Sequence, residues 1–257
     1  FNLPIFDHCE EITLAKGSMN AGDRASILGL KGIGDDSEEI MVSRDIILAK
    51  TTGAKLHICH ISTEGSVEQV KNAKAMGLPV TAEVAPHHFT LCDEDIKDYD
   101  SNFKMNPPLR SRKDLEIIRQ AIKDNIIEVI ATDHAPHHID DKNCEFEKAA
   151  NGIIGLETSF ALSYTELVES GLISFSDMLA KMTSNPADVL GCDKGQLAIG
   201  ATADIAIADI DNKYTIDVNT MVSKAKNTPF GGREVKGKIL YTICGGEVVV
   251  DNGKLTK

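Results

Sequence analysis

Apolar residues in the first 190 positions occur in short runs that alternate with amphipathic stretches. Four runs have the length and composition of strands: residues 3–8 (LPIFDH), 55–62 (KLHICHIS), 79–85 (PVTAEVA) and 126–133 (IIEVIATD). Four further stretches have the spacing or end signals of helices: 37–50, 66–76, 112–124 and 155–171. Strands that alternate with helices predict a parallel sheet.

Helix ends can also be located from particular residues. Ser37 is the expected N-cap of the first predicted helix, and Gly53 follows the end of that helix. Ser66 and Gln69 have the spacing of a capping box at the start of the second helix, with Gly77 just beyond its end.

After residue 190 the pattern changes. Residues 204–210 (DIAIADI) and 234–256 (EVKGKILYTICGGEVVVDNGKLT) contain short apolar runs separated by Gly and Asn turns. This pattern predicts short antiparallel strands. We therefore expect two units, residues 1–190 with a parallel sheet and residues 191–257 with an all-β structure.

Charge and composition exclude several classes of partner. The formal net charge of −12 and the pI of about 5.1 disfavour nucleic acid and anionic lipid as main partners. There is no run of eighteen apolar residues, so no membrane span is expected. The six cysteines form no CxxC pair, which favours reduced thiols and a cytoplasmic location.

Each predicted strand is followed by a polar side chain. His8 ends the first strand, His60 the second, His87 and His88 the third, and Asp133 the fourth. The carboxyl ends of parallel strands form the functional site in barrels and in open sheets. Four polar strand ends in succession therefore predict a site at this edge.

These residues differ in how strongly they indicate a metal. A single histidine at a strand end is usually structural, and we expect this role for His87 and His88. His57 and His60 lie on opposite faces of a strand, which makes the terminal His60 the better ligand. A carboxylate at position 133 needs a metal, an arginine or backbone donors. Two histidines and a carboxylate suit a catalytic zinc with an open position for water.

Eight motifs then establish a resemblance. DHCEE, CHISTEGSV, TAEVAPHHFTL, KMNPPLR, IATDHAPHH, GIIGLET, SNPADVLG and KNTPFGGREVKGKI occur in the order typical of dihydroorotases of the amidohydrolase superfamily. The resemblance covers residues 1–257 and implies an α/β fold, the (β/α)8 TIM barrel with a small β-sandwich. It also implies zinc, with two ions per complete chain. The implied activity is reversible cyclisation of N-carbamoyl-L-aspartate to L-dihydroorotate.

The resemblance also implies roles for individual residues. His8 and His60 match the metal-binding histidines after the fifth and sixth barrel strands. Asp133 matches the aspartate after the eighth strand, which binds metal and moves the proton.

Other positions match substrate contacts. Asn106 and His137 match substrate-binding positions, and the backbone of Ala150 and Gly152 matches a stretch that contacts the pyrimidine ring. Asn151 stands where the family often has an aromatic residue.

Part of the family pattern is not found in these residues. The HxH pair after the first strand, an arginine close behind it and the carboxylate or carboxylated lysine that bridges the metals would all lie upstream of Phe1. Only four strands precede the β unit, whereas a closed barrel needs eight. We therefore expect residues 1–190 to be the C-terminal half of a barrel within a longer protein. We expect the isolated segment to bind fewer zinc ions and to be inactive.

The segment 138–150 (HIDDKNCEFEKAA) is charged and has no core pattern. It is interpreted as either a mobile loop beside the site or a solvated surface loop.

Several functions remain open at this point. Allantoinases, hydantoinases and dihydropyrimidinases share the fold, although KMNPPLR with TDHAPH favours dihydroorotate. A non-catalytic scaffold that binds a transferase, or an inactive fragment, also fits the pattern. The expected partner is a small-molecule substrate, and assembly as a homodimer or with aspartate carbamoyltransferase is left open.

Overall fold

A computed structural model of the chain describes residues 2–256; residues 1 and 257, the outer ends of the two predicted units, lie outside the described residues. The strands are β1 (Ile5–Asp7), β2 (Met19–Asn20), β3 (Gly32–Ile33), β4 (Leu56–Ile58), β5 (Val80–Val84), β6 (Val129–Ile130), β7 (Ile205–Thr215), β8 (Glu234–Cys244), β9 (Glu247–Asp251) and β10 (Lys254–Leu255).

The helices are α1 (Asp23–Leu28), α2 (Asp36–Thr52), α3 (Glu64–Ala75), α4 (Pro86–Thr90), α5 (Arg112–Lys123), α6 (Ile139–Lys142), α7 (Ser159–Ser163), α8 (Phe175–Met182) and α9 (Ser184–Leu190). A π-helical segment, Tyr164–Glu169, continues α7. Short 3₁₀ turns occur at Asp93–Asp95, Ser101–Phe103 and Val218–Thr220.

The predicted parallel sheet is confirmed. Its strand order is β1-β4-β5-β6, and every neighbouring pair is parallel. The strands are shorter than the apolar runs predicted, with two to five residues each. They end early because the polar residues that follow them leave the extended conformation, as His60 (φ 33°) and Asp133 (φ 46°) do.

Helices cover one face of this sheet. Strand residues Leu56, Ile58, Val80 and Ala82 form one buried apolar cluster with side chains of the three longest helices: Val42 and Ile46 of α2, Val67 and Val70 of α3, and Ile118 and Ile122 of α5. Burial of this surface contributes to stability roughly in proportion to the apolar area removed from water.

Two helix starts differ from prediction. Asp35 rather than Ser37 precedes α2, and the Ser37 hydroxyl donates to the Gly34 carbonyl instead. Helix α3 begins two residues earlier than expected, because the Thr63 side chain accepts a hydrogen bond from the Ser66 amide. Gln69 takes no part in a capping box, since its amide donates to the Glu39 carbonyl.

The predicted helix at 155–171 is only partly correct. The amides of Gly155 and Leu156 donate toward Nδ1 of His134, at 3.0 and 3.4 Å, so the first residues turn around that ring before α7 begins. Gly171 ends the helical segment with φ 77°, as expected.

The predicted antiparallel strands are also confirmed. They form a four-stranded sheet in the order β10-β9-β8-β7, and β7 and β8 have eleven residues each, longer than expected. Strand β8 packs on α7: a Cβ placed on Gly237 would lie 3.1 Å from Phe160. No helix in the described part of the chain is long and apolar enough to cross a membrane.

A second buried cluster joins the two parts of the chain. Ile216, Phe230 and Val235, from the segment around the two long antiparallel strands, pack together with Met19 and Leu109. The segment 216–235 therefore completes a core that residues before 190 begin.

The segment 138–150 is anchored by three buried residues, although most of its other residues are exposed. Lys142, Phe146 and Ala149 are buried, and the hydroxyl of Ser101 donates to the Lys142 carbonyl. The local sequence does not predict that these residues are buried, because Lys142 interrupts the apolar pattern that would indicate a buried face.

Candidate functional site

The histidines that follow β1 and β4 lie side by side. Phe6 pairs with His57 and Asp7 with Ile58 in parallel register, so the two strands end at the same edge. The Nδ1 atom of His8 is 2.9 Å from Nε2 of His60, and the rings are nearly perpendicular, at 74°. Two histidines that are far apart in sequence therefore bring ring nitrogens close together at the strand ends.

His60 is held in an unusual state for a histidine. It is 9% exposed, and its Nδ1 atom is buried without a hydrogen-bond partner among the described residues. Burial lowers its pKa, the nearby His8 lowers it further, and the charge of Asp133 acts in the opposite direction. A neutral ring with a free nitrogen is the form that binds metal.

Asp133 follows β6 with φ 46°, in the left-handed region. Such a conformation is costly for a residue other than glycine, and it is commonly found at functional sites. Burial, Glu83 and Asp7 raise the pKa of Cys59, and the charge of Asp133 adds a smaller effect to its effect on His60. Asp133 therefore faces the same edge of the sheet as the two histidines.

Asn106 also reaches this edge. Its Nδ2 atom is 3.4 Å from Nε2 of His8 and donates to Oε1 of Glu10 at 2.8 Å. Oε2 of Glu10 lies 3.5 Å from the same His8 nitrogen. Sequence reasoning did not select Glu10, although the motif DHCEE places it two residues beyond a predicted ligand.

The remaining predicted substrate contacts form a second group. Nε2 of His137 donates to the carbonyl of Asn151 at 2.7 Å, which places the ring against the 150–152 segment. Gly152 has φ 123°, and a Cβ there would lie 2.4 Å from the side chain of Ala135 and 3.3 Å from Nε2 of His137. Only glycine fits this close approach.

The side chain of Lys142 and the main chain of Lys104 join the 150–152 segment to the residues just before Asn106. The amide of Gly152 donates to the carbonyl of Lys104, two residues before Asn106. Nζ of Lys142 donates to the carbonyls of Lys104, Ala150 and Gly152 at 2.8–3.2 Å. Burial lowers the pKa of Lys142 to about 8. Neither lysine was predicted, because only tertiary contacts bury it.

Three other histidines have structural contacts. His57, within β4, contacts Thr81 and Glu83, at 2.7 and 3.1 Å. His88 donates through Nε2 to the carbonyl of Pro107 at 3.0 Å, and His87 is buried beside it. Nε2 of His87 and Nδ1 of His88 are buried without a hydrogen-bond partner among the described residues, so the structural role of these two histidines stays a prediction.

Three potential metal ligands lie close together at a different place in the chain. Among the described residues, only Asp7, Cys9 and Asp45 bring ligand atoms within 4.8 Å of one another, so the carboxylate of Asp133 stands farther from the histidines. Arg44 contacts both carboxylates, and the Cys9 thiol donates to both. Burial raises the pKa of that thiol. Internal hydrogen bonds and an ion pair already satisfy this group, which lies on the helix side of the sheet.

Comparison with known proteins identifies the family. A model of the amidohydrolase family matches residues 24–249, most of the chain. The chain belongs to the amidohydrolase family. Among curated amidohydrolase relatives, the dihydroorotase of Acetivibrio thermocellus is 48% identical over 251 residues, 97% of this chain and 59% of that protein. The dihydroorotase of Pelotomaculum thermopropionicum is 49% identical over 249 residues, 96% of this chain and 58% of that protein.

Solved amidohydrolase structures have the same fold. The L-hydantoinase (dihydropyrimidinase) of Arthrobacter aurescens superposes with a TM-score of 0.91 and 27% identity, covering 100% of this chain and 59% of that one. The dihydropyrimidinase of Brevibacillus agri NCHU1002 has a TM-score of 0.86 at 24% identity and shows the fold alone. This amidohydrolase chain therefore spans about three fifths of the length of the proteins it matches.

The amidohydrolase site can be tested for its fit to a metal. His8 and His60 offer two nitrogens 2.9 Å apart, which can both lie at the Zn–N distance of about 2.0–2.1 Å from one ion. Two imidazole nitrogens at this separation are donors that suit zinc. His8 and His60 therefore fit one metal ion, whereas Asp133 lies farther from them than a third ligand of the same ion would.

Proposed function

We propose that the protein to which this chain belongs is a dihydroorotase. It interconverts N-carbamoyl-L-aspartate and L-dihydroorotate in pyrimidine biosynthesis, with loss or gain of water. The main support is the convergence of His8, His60 and Asp133 at one edge of the parallel sheet, in a chain about 48% identical to dihydroorotases. The matched relatives are longer than this chain, so the proposal concerns the whole protein.

In this proposal His8, His60 and Asp133 hold zinc, with two ions in the complete protein. Zinc, when bound, polarises a carbonyl and makes water a stronger acid. The buried, neutral ring of His60 suits ligation, because burial lowers its pKa and keeps a nitrogen lone pair available.

Asp133 is the proposed catalytic base and acid. In the hydrolytic direction its carboxylate accepts the proton of the attacking water and returns it to the departing ring nitrogen. Its left-handed backbone supports this role, because such costly conformations of residues other than glycine are common at functional sites.

Asn106, His137 and the backbone of Ala150 and Gly152 are the proposed substrate contacts. A neutral imidazole has one N–H, and in His137 the carbonyl of Asn151 already accepts it. The ring is therefore held against the 150–152 segment, beside the backbone proposed to contact the substrate. A side chain that is already held in place orients the substrate at little entropic cost.

The finer fold assignment is also a proposal. We infer that β1, β4, β5 and β6 are four strands of a (β/α)8 barrel and that the antiparallel sheet belongs to a small β-sandwich. Among the described residues β1 pairs on one side only, and Ile5 and Phe6 are 55% and 43% exposed. A barrel strand has neighbours on both sides, so an open apolar edge supports this assignment.

A second candidate is hydrolysis of an uncharged cyclic amide, because a solved L-hydantoinase has the same fold at 27% identity. The higher identity to dihydroorotases favours the first candidate. Cytoplasmic location and assembly as a homodimer or with aspartate carbamoyltransferase are retained as predictions.

The test is a turnover assay on the complete gene product that contains this chain, supplied with zinc. Substrates are L-dihydroorotate, dihydrouracil and hydantoin, and Asp133→Asn is the inactive control. Turnover of dihydroorotate well above that of the other two supports the proposal. Turnover confined to the uncharged rings, or none in a zinc-loaded protein, would overturn it.

A further inference from the structure

Asn227 lies in the segment between β7 and β8 and has no part in the proposed chemistry. It nevertheless contacts the two segments with proposed substrate contacts, residues 135–137 and 150–154, which are called here the substrate-binding segments. It is 4% exposed. Its Nδ2 atom donates to the carbonyls of Ala135 and Gly152 at 2.9 and 3.0 Å, and its Oδ1 atom accepts from the amide of His137 at 3.1 Å. Its own carbonyl accepts from the amide of Ile154 at 3.0 Å.

An asparagine side chain is required at position 227, because the contacts need both its donors and its acceptor. Both Nδ2 hydrogens are donated, one to each segment, while Oδ1 accepts from one of them. Aspartate has the same shape but no donor, so it would place a carboxylate against two carbonyl oxygens. Alanine would leave the amide of His137 and both carbonyls without this partner, at a cost in a partly buried site.

The two segments also bond to each other, which shows what Asn227 adds. Ala135 donates through its amide to the carbonyl of Ile153 at 2.8 Å, and the two segments form an isolated bridge there. Asn227 instead bonds to the main chain of the two residues proposed to bind substrate, His137 and Gly152. It therefore links their main chains beyond the bridge, in addition to the bond from the His137 ring to the carbonyl of Asn151.

We propose that Asn227 is the positioning residue for substrate binding, which fixes His137 relative to the Ala150–Gly152 backbone. This inference rests on the proposed function. It gives the segment after residue 190 a part in substrate selection, although that segment supplies none of the proposed ligands or catalytic groups.

The test compares Asn227→Ala and Asn227→Asp with Thr228→Val in the complete zinc-loaded protein. Thr228 is the matched control, because it is the next residue, is similarly buried, and its hydroxyl accepts from the amide of Phe230, away from both substrate-binding segments. Steady-state kinetics are measured with L-dihydroorotate, together with zinc content and melting temperature.

We expect both Asn227 variants to raise KM about ten- to a hundred-fold, the scale of a misplaced binding group. The value of kcat should change much less, because a contact made equally in the ground and transition states affects KM. Zinc content should not change, since the bonds of Asn227 go to the two loop segments and not to His8 or His60. Thr228→Val should lower the melting temperature without the rise in KM. An equal change in KM for Thr228→Val, or a parallel loss of kcat and zinc in the Asn227 variants, would overturn the inference.

A second readout keeps this inference separate from the proposed function. Amide hydrogen exchange of His137 and Ile154 needs no substrate and follows local opening. Asn227→Ala should make both amides exchange faster than in Thr228→Val. If the wild-type protein does not turn over dihydroorotate, the proposed function fails, and exchange still tests the positioning role. Unchanged protection of both amides would contradict that role.

Discussion

The Nδ1 atom of His8 lies 2.9 Å from Nε2 of His60, although 52 positions separate the two residues in the chain. The parallel pairing of β1 with β4 produces this contact, because it brings two strand ends to the same edge. The pair therefore exists only in the folded chain.

This pair should determine metal binding. In the complete protein, His60→Ala is expected to weaken zinc binding by at least about 100-fold, since loss of an outer-shell partner alone costs roughly 10–100-fold. His8→Ala should act in the same direction. A zinc competition titration with a chromophoric chelator measures both.

Cys9→Ser is the control for this titration, because Cys9 belongs to the separate group with Asp7 and Asp45. It should leave the zinc affinity unchanged. A large loss of zinc affinity in Cys9→Ser, with none in His60→Ala, would indicate that zinc binds to Asp7, Cys9 and Asp45 instead.

Asp133→Asn should abolish most of the turnover. Asparagine keeps the shape of the side chain but cannot accept the proton, and general acid–base catalysis contributes about 10²–10⁴-fold. Asp7→Asn is a matched control, because Asp7 also stands at a strand end but faces Asp45 and Arg44 on the helix side. Comparable losses of kcat in the two variants would argue against a specific role for Asp133.

His137→Ala should reduce discrimination in favour of the charged substrate. If the ring binds the substrate carboxylate, its loss removes a charge-assisted hydrogen bond of about 1.5–3 kcal/mol. This corresponds to a fall of about ten- to a hundred-fold in kcat/KM for dihydroorotate. The value for dihydrouracil, which has no carboxylate, should change much less. An unchanged ratio between the two substrates would show that His137 only braces the loop through Asn151.

His88 should make the protein sensitive to acid. Burial lowers its pKa to about 4, from an ordinary value of 6.5. Between these pH values the unfolded chain binds more protons than the folded chain, so the free energy of unfolding falls as the pH is lowered. The stabilising contribution is complete above pH 6.5 and is lost as the pH falls through 4.

His88→Gln should remove this component, about 2 kcal/mol between about pH 6.5 and pH 5 at roughly 1.36 kcal/mol per unit. Denaturant unfolding at the two pH values measures the difference. His138→Gln is the control, because His138 is exposed. Equal pH dependence in wild type and His88→Gln would contradict the prediction.

Phe230→Ala should lower the free energy of unfolding by about 3–5 kcal/mol, the usual cost of deleting a buried aromatic ring. Phe230 is 1% exposed and shares a core with Met19 and Leu109, so one cooperative transition should shift as a whole. Leu197→Ala, at an 83% exposed position in the same part of the chain, should have little effect. Two separate transitions, with only one affected, would instead support an independent unit at 191–257.

Local sequence determined much of the architecture. The alternation of apolar runs and amphipathic stretches was sufficient to predict a parallel sheet covered by helices. The short apolar runs separated by Gly and Asn turns were sufficient to predict the antiparallel sheet. Both predictions succeed because side-chain periodicity reflects which face of an element is buried. The same logic placed His8, His60 and Asp133 at strand ends. Residues Gly53, Gly77 and Gly171 follow helix ends with positive φ, as their position in the pattern indicated.

The tertiary structure decided which of these residues meet and what holds them. Lys142 and Asn227 carry no local signal, because their roles depend on carbonyls and amides that come from distant segments. The conformations of His60 and Asp133 also depend on packing, since positive φ at a residue other than glycine is locally unfavourable. Sequence periodicity shows which residues of one segment are buried, whereas a site assembled from the ends of three strands depends on contacts that form only when the chain folds.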